Sequence, residues 1–247
     1  MRAVIVIPAR MGSTRFPGKP LCDLLGKPMV QWVVEAAWES GVGEQVVVAT
    51  PDQEIVDACR DFGAEAVLTR HDHETGTDRI AEVAGQISAE VYVNVQGDEP
   101  LIQPSSIAAC ATPLLKRPGI EMGSVYCACA EEELDNPAVV KVVTDLEGYA
   151  LYFSRHPIPF ERNPRVEPVK KHIGLYAYRR DALQRFANWP MGALERAESL
   201  EQLRFMENGV RIFMTPGAGT DLAVDTPEQA EQVRSILADR ARGLLEA

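Results

Sequence analysis

Pro8-Ala9-Arg10-Met11-Gly12-Ser13-Thr14-Arg15-Phe16-Pro17-Gly18-Lys19-Pro20 follows directly on the run Ala3-Val4-Ile5-Val6-Ile7. The run is apolar at every position rather than at alternate ones, the pattern of a strand covered on both faces. The loop leaving it brings together Arg10, Arg15 and Lys19 with Gly12 and Gly18. Glycine-rich backbone in such a place can turn its N–H groups inward, and flanking cations complete a site for a polyphosphate. It is not a P-loop. That motif needs G-x-x-x-x-G-K-[ST], but Gly12 and Gly18 stand one residue too far apart and Lys19 is followed by Pro20. Proline has no hydroxyl to place on a metal, so any metal is held by residues elsewhere.

Outward from this loop the same logic repeats. Apolar, β-branched runs at 45–50, 64–68 and 90–95 alternate with helical patterns at 28–40, 53–62 and 77–87. This predicts an α/β protein with a mostly parallel central sheet and helices on both faces. Ligands of such sheets sit at the C-terminal ends of the strands. Both the cationic loop and Gln96-Gly97-Asp98-Glu99-Pro100 fall on that edge. Runs at 123–130, 138–145, 149–154 and 169–178 are joined by turns, with Pro157, Pro159, Pro164 and Pro168 marking an irregular loop. They predict an inserted antiparallel portion at roughly 120–180. Helices follow at 180–187 and 194–208, then a strand at 211–214. Thr226-Pro227-Glu228-Gln229 opens the last helix with an N-cap, a proline at N1 and a capping-box glutamine. With no linker, repeat or low-complexity segment, residues 1–247 read as a single domain.

Of the 247 residues, 46% are apolar and 25% charged, as in ordinary globular proteins. The net charge of −11 excludes a general nucleic-acid binder, which needs a basic surface. No run approaches the ~20 apolar residues that cross a bilayer, and no signal peptide is recognisable, so no membrane insertion is expected. Five scattered cysteines point to a reduced, cytoplasmic chain.

Asp98 follows an apolar strand beside Gly97, where a carboxylate can point into a cleft; capping a turn is the plainer alternative. Asp225 is a second carboxylate, free of the capping role that Thr226 fills. Mg²⁺ takes one or two carboxylates together with substrate phosphate oxygens and waters. His71-Asp72-His73-Glu74 reads as solvated loop. Thr75-Gly76-Thr77-Asp78-Arg79 opens a helix whose free N–H groups and Arg79 could face an anion. His172, Tyr176 and Tyr178 share one strand face, an aromatic stripe that is ordinarily core, and Glu201 is by default a surface residue. No Ser–His–Asp arrangement, zinc signature or G-x-G-x-x-G appears, and covalent catalysis has no obvious nucleophile. The constellation fits nucleotidyl transfer from a nucleoside triphosphate.

These residues also carry a family likeness. The chain resembles the 3-deoxy-manno-octulosonate (KDO) cytidylyltransferases almost end to end. The likeness rests on Arg15-x-Pro17-Gly18-Lys19-Pro20-Leu21, Gly76-Thr77-Asp78-Arg79, Val93-Asn94-Val95-Gln96-Gly97-Asp98-Glu99-Pro100, Ala150-Leu151-Tyr152-Phe153-Ser154-Arg155, His172-Ile173-Gly174-Leu175-Tyr176 and Leu200-Glu201-Gln202-Leu203-Arg204. The resemblance implies a Rossmann-like nucleotidyltransferase fold, a cytoplasmic homodimer, and the reaction of CTP with KDO to give CMP-KDO and pyrophosphate. It implies that Arg10, Met11, Gly12, Ser13, Arg15, Lys19, Gly76, Thr77, Arg79 and Gln96 bind CTP. Asp98 and Asp225 would hold Mg²⁺, one ion or two, and act with Arg10 and Lys19 in catalysis. Gln96, Arg155, His172, Tyr176, Glu201 and Gln202 would line the sugar site, Arg155 or His172 suiting the sugar acid; this replaces the core and surface readings of the strand and of Glu201. Two alternatives stay open: a modified ulosonate such as the 8-amino sugar, and a non-catalytic nucleotide-binding regulator. Phe16 stands where the family pattern has leucine, and the segment 161–171 is short.

Overall fold

A computed structural model describes residues 2–73, 75–219 and 222–243. Its strands are β1 (Ala3–Pro8), β2 (Asp23–Leu24), β3 (Lys27–Pro28), β4 (Gln45–Thr50), β5 (Glu65–Leu68), β6 (Val91–Asn94), β7 (Met122–Ala128), β8 (Lys141–Thr144), β9 (Ala150–Ser154), β10 (Lys170–Arg179) and β11 (Ile212–Pro216). The helices are α1 (Met29–Glu39), α2 (Gln53–Asp61), α3 (Gly76–Gln86), α4 (Pro104–Lys116), α5 (Arg180–Phe186), α6 (Ala193–Glu198), α7 (Gln202–Glu207) and α8 (Pro227–Ala241). The main sheet runs β11-β7-β10-β6-β1-β4-β5, and the β8–β9 pair hangs from β10. Along that row β10 alone runs against its neighbours; β6, β1, β4 and β5 are mutually parallel.

The continuous apolar runs behave as expected. Ala3, Ile5 and Ile7 of β1 enter one core with α1, α2 and α4, while Val4 and Val6 enter a second core with α3 and α5. Both cores need every residue of the strand, which explains why alternation is absent. A third, smaller cluster seats α8 on Leu24, Met29 and Leu101.

One local expectation is corrected, and two elements appear that the sequence reading does not contain. The pattern at 194–208 is two helices, because Ser199 takes a left-handed φ of 53° that ends α6 before α7 begins. Helix α4 has no counterpart in the sequence reading: it carries Pro104 and Pro113 and no charge before Lys116, so it lacks a polar stripe. The β2–β3 hairpin is too short for a periodic signal.

The reversed strand brings a second group of side chains to the ligand edge. Tyr176 of β10 pairs with Asn94 of β6, so the first half of β10 lies beside the C-terminal end of β6. A bulge between Ile173 and Tyr176 inserts an even number of residues and keeps His172, Tyr176 and Tyr178 on one face.

Candidate functional site

Two adjoining hollows open at the C-terminal edge of the sheet. The first, of about 360 Å³, lies between the β1 loop, the start of α3 and the turn after β6. The second, of about 270 Å³, lies between β6, β10 and the α6–α7 break; Gly76 and Gln96 line both.

The β1 loop is closed by its own backbone. Met11 C=O accepts from Ser13 N–H at 2.9 Å and Gly18 N–H at 3.0 Å, and Met11 N–H donates to Asp52 Oδ2 at 2.7 Å. Gly18 takes a φ of +74°, which costs glycine nothing and starts the turn that carries Lys19. Among the described residues, the N–H groups of Gly12, Thr14 and Arg15 have no protein acceptor, and Arg10 has no carboxylate partner. Donors and charge are thus left for an anion, in a loop that pins itself without them.

Lys19 Nζ stands 2.6 Å from Asp98 Oδ2, 3.1 Å from Asp225 Oδ1 and 3.0 Å from the Val224 carbonyl. Burial lowers the Lys19 pKa, but the Asp98 and Asp225 carboxylates outweigh it and leave it raised. Arg15 reaches the other oxygen of Asp225 at 3.0 Å. The distant carboxylates are brought together by backbone: Val224 N–H donates to Asp98 C=O at 2.9 Å, and Gln229 Oε1 accepts from the N–H groups of Asp225 and Thr226. Asp98 is therefore no mere turn cap. Gly97 is required beside it, because a Cβ there would lie 2.7 Å from the Pro8 carbonyl. Among the described residues no three metal-ligating side chains cluster, so this pair could hold a cation only with oxygens supplied by a ligand.

Gly76 and Arg79 sit where expected, in the first hollow's wall. Arg79 is buried and donates to Thr69 and, at 3.0 Å, to the Arg70 carbonyl. Desolvation, with Arg10 nearby, lowers its pKa. Thr77, also buried, faces the second hollow and Tyr178.

In the second hollow Tyr176 O–H donates to Gln202 Oε1 at 3.1 Å, and the buried Nε2 of Gln202 has no partner. Burial raises the Glu201 carboxyl pKa. Next to the hollow, Glu99 is raised to about 8 by desolvation and by Asp98, and its Oε2 is unpaired. Tyr178 lines this hollow too, but from a fully packed ring column through Phe205 and Phe186, so for that residue the core reading holds.

Three expected site residues are placed differently. The Met11 side chain packs on the core and its N–H is spent on Asp52, so it does not line the hollow. Arg155 is held by the carbonyls of Glu198 at 2.7 Å, Pro137 at 2.9 Å and Ser199 at 3.4 Å, and lines neither hollow. His172 lies behind Tyr176, its Nε2 2.9 Å from Ser124 Oγ, whose hydroxyl donates to the Leu175 carbonyl. Desolvation lowers His172 to about 3, so it is neutral and brings no charge to a sugar acid. Sequence reasoning misses Asp52, although it follows β4 at the ligand edge, a position that marks it as a candidate. His73 is not solvated loop: its side chain is 6% exposed and meets Glu82. Glu74, from the same stretch, lies outside the described residues.

A family profile described as cytidylyltransferase matches residues 4–212. The chain is 50% identical to the 3-deoxy-manno-octulosonate cytidylyltransferase of Geobacter sulfurreducens, over 94% of this chain and 98% of that one. It is 46% identical to the Escherichia coli protein of the same name, over 96% of each. A solved structure of CMP:2-keto-3-deoxy-manno-octonic acid synthetase complexed with CTP superposes with a TM-score of 0.94 at 45% identity, covering 97% of this chain and all of that one.

Proposed function

The chain belongs to the cytidylyltransferase family, and we propose from this that it transfers CMP from CTP to the anomeric hydroxyl of KDO. The products are pyrophosphate and CMP-KDO, the activated sugar for lipopolysaccharide biosynthesis. The observation that carries this reading is the convergence of Lys19, Asp98 and Asp225 between a loop of unpaired donors and a second, mostly neutral hollow.

The β1 loop takes the β- and γ-phosphates on Arg10, Ser13, Arg15 and Lys19, with Gly12 backbone close against them. Gly76 and Gln96 line both hollows, with Thr77 beside them in the second, where the α-phosphorus must meet the sugar. Tyr176, Glu201 and Gln202 orient the sugar, and the buried Gln202 Nε2 waits for an acceptor on it. Bound so, the anomeric hydroxyl attacks in line and pyrophosphate leaves toward the loop. Positioning and charge neutralisation account for most of the rate.

Mg²⁺ fits the pair Asp98 and Asp225. Both carboxylates already converge on one cation, the Lys19 ammonium, and both are hard oxygen donors. When bound there, the ion would neutralise phosphate charge and lower the pKa of the attacking hydroxyl. A homodimer is the proposed assembly. Phe160, Val166 and Leu151 are 90%, 98% and 59% exposed around β8, β9 and the loop at 157–169, an apolar surface suited to a second copy. The five free thiols suit a reducing cytoplasm. Among the described residues no helix is long and apolar enough to cross a membrane.

Pyrophosphate release tests the reading. Release should require CTP, Mg²⁺ and KDO together and should fail with ATP, GTP or UTP. Faster turnover of the 8-amino sugar than of KDO would move the assignment to the modified ulosonate. Binding of CTP with no turnover of either sugar would leave the regulator.

A further inference from the structure

We infer that His73 is a specificity-determining residue of the nucleotide cleft, offering its Nδ1 as a hydrogen-bond acceptor to a donor group of the nucleoside. The donor is the ribose 2′-hydroxyl or the cytosine amine. The inference rests on the reading of this cleft as a CTP site.

His73 comes from the loop after β5 and lines the cleft beside Thr75, Gly76 and Arg79, yet its side chain is only 6% exposed. Its Nε2 contacts Glu82 on α3. That carboxylate is itself anchored, accepting the Arg70 N–H at 3.0 Å. Burial raises the Glu82 pKa, but the contacts with His73 and Arg70 outweigh it and leave it lowered, so Glu82 stays ionised. Nδ1 has no partner among the described residues.

This arrangement sets the tautomer. An ionised carboxylate only accepts, so the imidazole proton sits on Nε2; in the neutral ring Nδ1 is then an acceptor. The groups around it that suit a triphosphate are donors: Arg10, Arg15, Lys19 and the loop N–H groups. An acceptor repels phosphate oxygens, so His73 is not one more phosphate ligand. It matches a group that carries hydrogen, and among the parts of CTP these are the ribose hydroxyls and the base amine. Its place fits as well. β5 lies beyond β4 on the side of β1 away from β6, whose turn carries Asp98. The triphosphate and metal carboxylates take the β1–β6 side, and the nucleoside extends toward β5.

Calorimetric titration of the full chain with CTP, dCTP and UTP, beside thermal melts, tests the inference. His73→Ala should weaken CTP about tenfold, the worth of one good hydrogen bond. Selectivity should narrow against dCTP if a hydroxyl is read, or against UTP if the amine is. His73→Asn places an amide oxygen where Nδ1 was and should restore most of the affinity. Glu82→Ala releases the tautomer and should reproduce part of the loss, but should cost nothing further in the His73→Asn background. Equal weakening of all three nucleotides, or wild-type affinity in folded His73→Ala and Glu82→Ala, overturns the inference. If His73→Ala does not fold, the Asn and Glu82 variants answer the same question. Loss of the proposed KDO transfer in the wild-type enzyme would break the activity reading while leaving these binding ratios to be judged separately.

Discussion

The two hollows are built in opposite ways. The hollow proposed for the nucleotide is made of charge: cations on one short loop, carboxylates in the turn after β6 and just before the N-cap of α8, and an ammonium between them. The hollow proposed for the sugar carries a buried amide, phenols and a carboxyl whose pKa burial raises. Charge at the first is held by partners close in space, whereas the second depends on packing from four separate segments. Substitutions of the charged groups in the cleft should therefore act on rate, and substitutions around the pocket on stability or on sugar affinity.

The sharpest break of this contrast is Asp98→Asn. It keeps the shape, removes half of the paired negative charge, and leaves Lys19 with a weaker partner. We expect kcat to fall about a thousandfold, roughly 4 kcal/mol of transition-state stabilisation, with little change in melting temperature. Stopped pyrophosphate assays across a Mg²⁺ titration measure it. Near-normal turnover at ordinary Mg²⁺ would remove Asp98 from the metal role.

The same contrast explains what is legible in the sequence. β1 and β4 can be read to the residue, because both-face burial leaves an uninterrupted apolar run. Arg10, Arg15 and Lys19 stand out because three cations in an acidic chain need a reason. The sugar side gives no such signal. Whether Arg155 points at a ligand or at the carbonyls of residues 137, 198 and 199 depends on the left-handed turn at Ser199, invisible in a pattern that reads as one helix. His73 escapes sequence reading because its partner is nine residues on, beyond a helix start, and only the fold brings them together.

Next in size is Glu195→Gln. Arg204 and Glu195 form a buried bidentate pair at 2.5 and 2.6 Å that ties α6 to α7 across the Ser199 break. Removing one charge leaves the other uncompensated, at a cost of about 3–5 kcal/mol. Urea denaturation should show it, with KM for CTP unchanged in the folded fraction. An equal rise in the KM values for CTP and KDO would mean that the two hollows are one mechanical unit.

The pH dependence of stability comes third. His172 titrates at about 3 when folded, against 6.5 unfolded. Its folded pKa is depressed, so its contribution is full above 6.5 and drains as pH falls toward 3. At pH 5 the loss should be at most about 2 kcal/mol. His172→Phe should flatten that limb of the stability curve. An unchanged limb would mean that His172 is charged and available to a sugar carboxylate after all.

The smallest effect belongs to Tyr176→Phe, and it is the most informative about the pocket. The hydroxyl donates to Gln202 Oε1 and thereby fixes the amide, whose buried Nε2 has no partner. Phenylalanine fills the same space against His172 and Tyr178 but leaves the amide free to flip. The expected cost is about 1 kcal/mol, a roughly fivefold rise in KM for KDO with KM for CTP and thermal stability both unmoved. Should kcat fall instead while KM holds, the Tyr176–Gln202 pair would be acting on the transition state rather than on the bound sugar. The pocket would then share the rate-setting role that the charge pattern assigns to the cleft alone.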